Sequence, residues 1–214
     1  MEQMTRKDAF KQFGIIPFDT ATLKSLLDDY KSPNDKVAMM EKDGDLIRLK
    51  RGLFVVSPKI HNRPLSKELI ANHIYGSSYV SLQTALSFYG LIPERVQTVC
   101  SMTTKRSHTF TNSLGTFDFK SASIPYYSIG VRQEIVNDEY AFLIATPEKA
   151  LCDMIIESSR LKLQSVKAMR NYLEEDLRID LTVIPDFNSQ IVAQCIEVSS
   201  KKRELRLLYK LLEE

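Results

Sequence analysis

Three basic residues within four positions, Arg48, Lys50 and Arg51, stand beside Gly52 between two short apolar runs. Guanidinium and ammonium groups next to a tight turn suit phosphates, which position a protein on nucleic acid without reading its sequence. The cluster belongs to a wider pattern. From Leu46 to Lys67 there are six Lys or Arg and no acid, and from Arg95 to Phe117 three more, again with no acid. Glu134 to Glu157 instead holds six acids against one lysine. The formal net charge is only +2, so it is the segregation of charge that offers a polyanion an attractive side.

Other chemistries find less support. The glycines stand at 14, 44, 52, 76, 90, 115 and 130, never closer than eight residues apart, which excludes a Gly-x-Gly-x-x-Gly or P-loop phosphate cradle. His61, His73 and His108 lack metal-ligand spacing. Gly76-Ser77 resembles the start of a nucleotidyltransferase phosphate site, but no carboxylate for Mg²⁺ follows before Glu94. Asp118-x-Lys120 matches the tail of a nuclease motif, with Glu94 as the available upstream acid; an ordinary exposed strand face explains it better. Glu148, Lys149 and Asp153 fall within one helix, where Lys149 and Asp153 form an i,i+4 pair worth a few tenths of a kcal/mol. No enzyme activity, metal or cofactor is expected.

The 214 residues, 43% hydrophobic and 26% charged, describe an ordinary globular protein. No run approaches the ~20 apolar residues that span a bilayer, and the first residues lack the apolar core of a secretory signal. Cys100, Cys152 and Cys195 are scattered and odd in number, which suits a reducing compartment. The expected location is cytoplasmic.

The basic cluster must be positioned by the elements around it. Thr5 to Phe13 reads as a helix with Ala9, Phe10 and Phe13 on one face, stopped by Gly14. Asp19 or Thr20 caps a second helix striped by Leu23, Leu26 and Leu27. Ser32-Pro33 opens a third, with Val37, Met40 and Ala38 inward, which Asp43-Gly44 ends. Leu46–Lys50 alternates, so that Ile47 and Leu49 face a core while Arg48 and Lys50 face out together; Arg51-Gly52 turns, and Leu53–Val56 returns. Three helices and a hairpin within residues 1–57 make a winged helix-turn-helix, whose third helix enters the major groove. Asn34, Lys36, Met39 and Lys42 are then candidates to point toward DNA, with Arg48, Lys50 and Arg51 on the wing. Solvated helix faces and, for Met39, core packing are the competing assignments.

Residues 58–66, with two prolines and no periodicity, read as a linker. Residues 67–214 read as a mixed α/β C-terminal domain, for an α+β chain overall. Helices are expected over Lys67–Ile74, Leu82–Tyr89, a Thr146-capped run from Pro147, Ser165–Leu173 and Ser199–Leu212. Strands are expected at Val96–Met102, a Thr109–Phe119 hairpin, Tyr126–Val131 and Phe142–Ile144. The buried stripe of the Pro147 helix is expected to be Ala150, Leu151, Met154 and Ile155. The basic run Lys201-Lys202-Arg203 with Arg206 and Lys210 is a second candidate DNA contact, or a solvated helix face.

Three stretches in order resemble the AbiEi-type antitoxins of abortive-infection (AbiE) type IV toxin–antitoxin systems. They are Leu46–Phe54, in the pattern Leu-x-Arg-Leu-x-Arg-Gly-x-Phe; Tyr79–Leu86 with Tyr89-Gly90-Leu91-Ile92-Pro93; and Ala145–Asp153. The resemblance covers roughly residues 5–160. It implies a DNA-binding autorepressor whose winged helix binds inverted repeats in double-stranded DNA of its own promoter. It also implies a C-terminal domain that counteracts a nucleotidyltransferase toxin without a stable complex, in phage defence, and no membrane partner. The alternative is a winged-helix protein-interaction module without specific DNA binding.

Overall fold

The computed structural model describes residues 6–28, 30–94 and 96–214, and the side chains of all of these except 6–9 and 183–185. Helix α1 (Arg6–Phe13) buries Phe10. Thr5 and the side chain of Ala9, both expected in this helix, lie outside the described residues. Strand β1 (Phe18–Asp19) leads into α2 (Thr20–Ser25), capped by the Asp19 carboxylate, which accepts from the Thr22 N–H at 2.8 Å. Helix α3 (Pro33–Lys42) opens on a proline whose missing N–H costs nothing in a first turn. It closes where Gly44 takes a φ of +73°, a conformation cheap only for glycine. Leu23, Leu27, Val37 and Met40 are buried together with Phe10, Phe18, Leu46, Phe54 and Val56 in an N-terminal cluster.

Strands β2 (Leu46–Lys50) and β3 (Leu53–Val56) form the hairpin, and β1 adds to it in the order β1-β3-β2, all antiparallel. Gly52, at a φ of +82°, makes the turn, and its carbonyl accepts from the Thr20 N–H at 3.1 Å. All four residues of β3 are buried, because the small sheet is covered on both faces. One face, with Phe54 and Val56, packs on the N-terminal helices. The other, with Leu49, Leu53 and Val55, belongs to the large core of the rest of the chain.

The expectation that Arg48 and Lys50 face out together is corrected here. A β-bulge interrupts the ladder between them: Arg48 pairs with Phe54, but Lys50 pairs with Leu53. The extra residue reverses the alternation. Arg48 lies on the face of the N-terminal helices, and Lys50 faces the C-terminal elements.

The stretch expected as a linker contains α4 (Pro58–His61), capped by Ser57, with Ile60 packed on the N-terminal cluster. Beyond α5 (Lys67–Ile74), β4 (Ser78–Val80) and α6 (Leu82–Phe88) come β5 (Thr98–Thr103), β6 (His108–Asn112) and β7 (Gly115–Ser121). The short α7 (Ile124–Tyr127), β8 (Val131–Val136), β9 (Tyr140–Ala145) and α8 (Pro147–Glu157) follow. The sheet has the order β6-β7-β5-β4-β9-β8, parallel at β5/β7 and β4/β9 and antiparallel elsewhere. The chain is thus α+β. The strand expected at Tyr126–Val131 begins only at Val131 and runs on to Val136, because Ser123-Ile124-Pro125 starts a helical turn that takes in Tyr126 and Tyr127.

Helix α9 (Val166–Asn171) runs into a wider π-helical turn at Tyr172–Asp176, where the Leu177 N–H reaches the Tyr172 carbonyl at 3.0 Å. Helix α10 (Ser189–Val198) was not expected, although Asn188 caps it and Val192, Cys195 and Ile196 give it a buried stripe. In α11 (Lys202–Leu212), Leu205, Leu208 and Leu211 are buried, and Lys202, Arg203, Arg206 and Lys210 are exposed. Among the described residues no helix is long and apolar enough to cross a membrane.

Candidate nucleic-acid interface

The outer face of α3 is open. Asn34, Ala38, Met39 and Lys42 are exposed, with Met39 at 49%, so Met39 does not belong to the core and Ala38, expected inward, faces out. Between α2, α3 and the hairpin lies a cleft of about 350 Å³ whose walls include Lys24, Asn34, Arg48, Arg51 and Gly52. The fold therefore brings Asn34 of α3 beside Arg48 and Arg51 of the hairpin. The α2 cap fixes one wall, and the Gly52 turn sets Arg51 at the tip of another. Lys24 and Arg51 are exposed and have no ion-pair partner among the described residues.

Arg48 is differently placed. It makes a two-pronged bond to Glu41 of α3, at 2.7 and 2.6 Å, and lies 4.9 Å above the Phe54 ring. The Glu41 carboxylate holds the Arg48 pKa above its ordinary value, against the opposing effect of burial. The pair is locally neutral, and it fixes the hairpin against α3. Lys36 is half-buried, its ammonium 5.5 Å from the Tyr30 ring centroid, and Lys42 is exposed at the C-terminal turn. Lys50 does not join the group. Its ammonium donates to the Ile74 carbonyl at the end of α5, 2.6 Å away, and lies 5.9 Å from the Phe110 ring. Burial and the neighbouring Lys105 lower its pKa.

Sequence reasoning missed Lys24 and Glu41. Lys24 carried a signal in its position in the last turn of α2. Glu41 carried one in its place a turn past Val37 on the same helix.

The acids weighed for a nuclease motif are each held in local contacts. Asp118 is bonded to Lys120 at 3.0 Å and accepts from the Thr109 hydroxyl at 2.7 Å, while Glu94 pairs with Arg178 at 3.3 Å. Among the described residues no three His, Cys, Asp or Glu side chains come together to hold a metal ion. Glu148 is buried and accepts from the Asn188 N–H at 2.7 Å, which ties α8 to the start of α10.

Lys149 and Asp153 are not a surface pair; both are fully buried, 3.5 Å apart. Asp153 accepts from the Tyr126 hydroxyl at 2.6 Å, the Ser81 hydroxyl at 2.6 Å and the Tyr79 hydroxyl at 3.1 Å. Lys149 donates to the Tyr126 carbonyl at 2.8 Å and lies 3.0 Å from that ring's centroid. Burial raises the Asp153 pKa, opposed by Lys149 and by the three hydroxyl donors. Every charge and hydroxyl in the group is answered by another, which describes a structural cross-brace.

Lys201 of the basic C-terminal run is likewise occupied, donating to the Ile155 carbonyl at 3.0 Å and to that of Ser158. No protein-family model and no curated protein matches the chain.

Proposed function

We propose that the chain is a DNA-binding autorepressor whose N-terminal unit acts as a winged helix-turn-helix, and that it serves as the antitoxin of a type IV toxin–antitoxin system. The observation that carries the DNA reading is the exposed face of α3 beside a cleft holding Lys24 and Arg51, cations without an ion-pair partner among the described residues. A helix presented this way can enter a major groove, with Asn34 and Lys42 reaching base edges while Lys24 and Arg51 meet phosphates. The antitoxin part rests on the resemblance. Two of the stretches that carry it, Tyr79–Leu86 and Ala145–Asp153, meet at the buried Asp153. The nucleotidyltransferase toxin would be a functional antagonist.

The test is a salt titration of binding to the chain's own upstream DNA against a scrambled duplex. Affinity should be sequence-dependent and fall linearly in log salt. Arg51→Ala and Lys24→Ala should each weaken binding to all sequences and reduce the salt slope by about one. Lys50→Ala should leave the slope unchanged, since its ammonium is turned away. Equal losses from Lys50→Ala and Arg51→Ala would contradict this placement of the interface. Absence of binding would favour a protein partner for the Met39 face.

A further inference from the structure

The six-stranded sheet has two edges, and they differ. At one, β6 is met by the N-terminal hairpin: the Asn112 amide donates to the Leu49 carbonyl at 3.0 Å, and Lys50 lies over Phe110. At the other, β8, the backbone of Val131–Ile135 has no hydrogen bond outside the β8/β9 ladder among the described residues. Unpaired edges are normally blunted by charged side chains, proline, a bulge or a covering element. β8 has no proline, pairs with β9 without a register break, and sets its two charges, Arg132 and Glu134, against each other in an ion pair at 2.5 Å. Exposed apolar side chains stand on this edge as well: Ile135 is 62% exposed, and Leu143, opposite Gln133 on β9, 40%.

The direction of the free backbone groups follows from Asn72. Its side chain accepts from the Leu143 N–H at 2.6 Å and donates to the Leu143 carbonyl at 3.4 Å. Leu143 therefore does not exchange hydrogen bonds with Gln133, its partner across the ladder. Bonded and non-bonded pairs alternate in an antiparallel ladder. Val131, Gln133 and Ile135 thus aim their N–H and C=O groups away from β9.

A second antiparallel strand on this edge must place its own outward residues opposite these three. For a second β8 that leaves few registers. Centred on Gln133, the pairing sets Val131 opposite Ile135 and Arg132 opposite Glu134, each twice by symmetry. Shifted to either neighbouring register, it sets Arg132 opposite Arg132 or Glu134 opposite Glu134, and like charges directly opposite are unfavourable. Only the centred register satisfies the hydrogen bonds, the charges and the apolar pair together.

We propose that β8 pairs with β8 of a second copy of the chain, antiparallel and centred on Gln133, joining two sheets about a two-fold axis. The interface is isologous, so the same patch serves both copies. The inference concerns the chain without DNA and stands apart from the reading of α3.

Sedimentation and light scattering of the whole chain test it. The wild type should dimerise with concentration. Arg132→Glu and Glu134→Arg should each weaken the dimer by about tenfold or more, because each sets like charges across the axis twice. An equimolar mixture of the two variants should recover the dimer, since the new carboxylate at 132 then faces the new guanidinium at 134 of the other copy. Both positions are partly exposed on the strand, and circular dichroism checks that each variant is folded. Hydrogen exchange gives a second readout: the amides of Val131, Gln133 and Ile135 should slow together as the dimer forms. A wild type that remains monomeric would leave the edge to a strand of another protein and overturn the proposal. So would a dimer indifferent to both substitutions, or single variants that mixing does not rescue.

Discussion

At the scale of single residues, the pair Lys149 and Asp153 shows how spacing and environment part company. Four residues apart on a helix, a lysine and an aspartate ordinarily make a solvated pair of small value. Here α8 is enclosed, and burial changes the sign of the question. A buried charge without its partner is costly, whereas the complete pair roughly balances its own desolvation. Asp153→Ala should therefore destabilise the fold by about 3–5 kcal/mol, measured by urea unfolding. Lys149→Met with Asp153→Leu should cost much less than the sum of the two single changes. Additive losses would mean that Lys149 is satisfied by Tyr126 alone. Nothing in the sequence separates the two cases, because helical spacing records which residues are neighbours and not what surrounds them.

Among elements, the parts that could be read in advance are those with local causes. The caps at Ser66 and Thr146, the proline-opened α3 and α8, and the 108–121 hairpin all follow from rules acting over a few residues. The Asp19 cap of α2 makes one of these rules testable by pH. The Thr22 N–H holds the Asp19 carboxyl below its ordinary pKa. A carboxylate with a depressed folded-state pKa stabilises fully above its unfolded pKa, and that contribution is lost as pH falls through the folded value. Asp19→Ala should lower the melting temperature near pH 7, and lower it progressively less as the pH falls below the ordinary carboxylate range. A loss of the same size at every pH would assign the cap to packing. The bulge in β2 was not legible, because strict alternation over Leu46–Lys50 carries no mark of the extra residue. That one insertion separates Lys50 from Arg48 and removes it from the candidate interface. Helix α10 was legible in its Asn188 cap and its stripe at 192, 195 and 196.

Over the whole molecule, the small sheet is shared between two cores. Leu53 packs in the large core, while its chain neighbour Phe54 packs in the N-terminal cluster. Leu53→Ala should cost about 2–5 kcal/mol. Hydrogen exchange should then show protection falling both in β2–β3 and in the α5 and β6 segments they pack against. A loss confined to the hairpin would show that the two cores open independently. The contact between Arg63 and Glu139 and the bond from Asn112 to Leu49 add polar ties across the same boundary.

The hairpin's double burial bears on how such a chain can be taken apart and recombined. A cut after Ser57, where the sequence shows its prolines, would strip Leu49, Leu53 and Val55 of their cover and leave the Lys50 ammonium without the carbonyl that receives it. The N-terminal unit is therefore a poor interchangeable cartridge. Grafted onto a different partner, it would need a receiving surface with an apolar trough and a helix end at the right place. Swaps made at that junction should yield insoluble fragments, whereas swaps that carry α5 and the β6–β7 hairpin along keep the trough with its occupant.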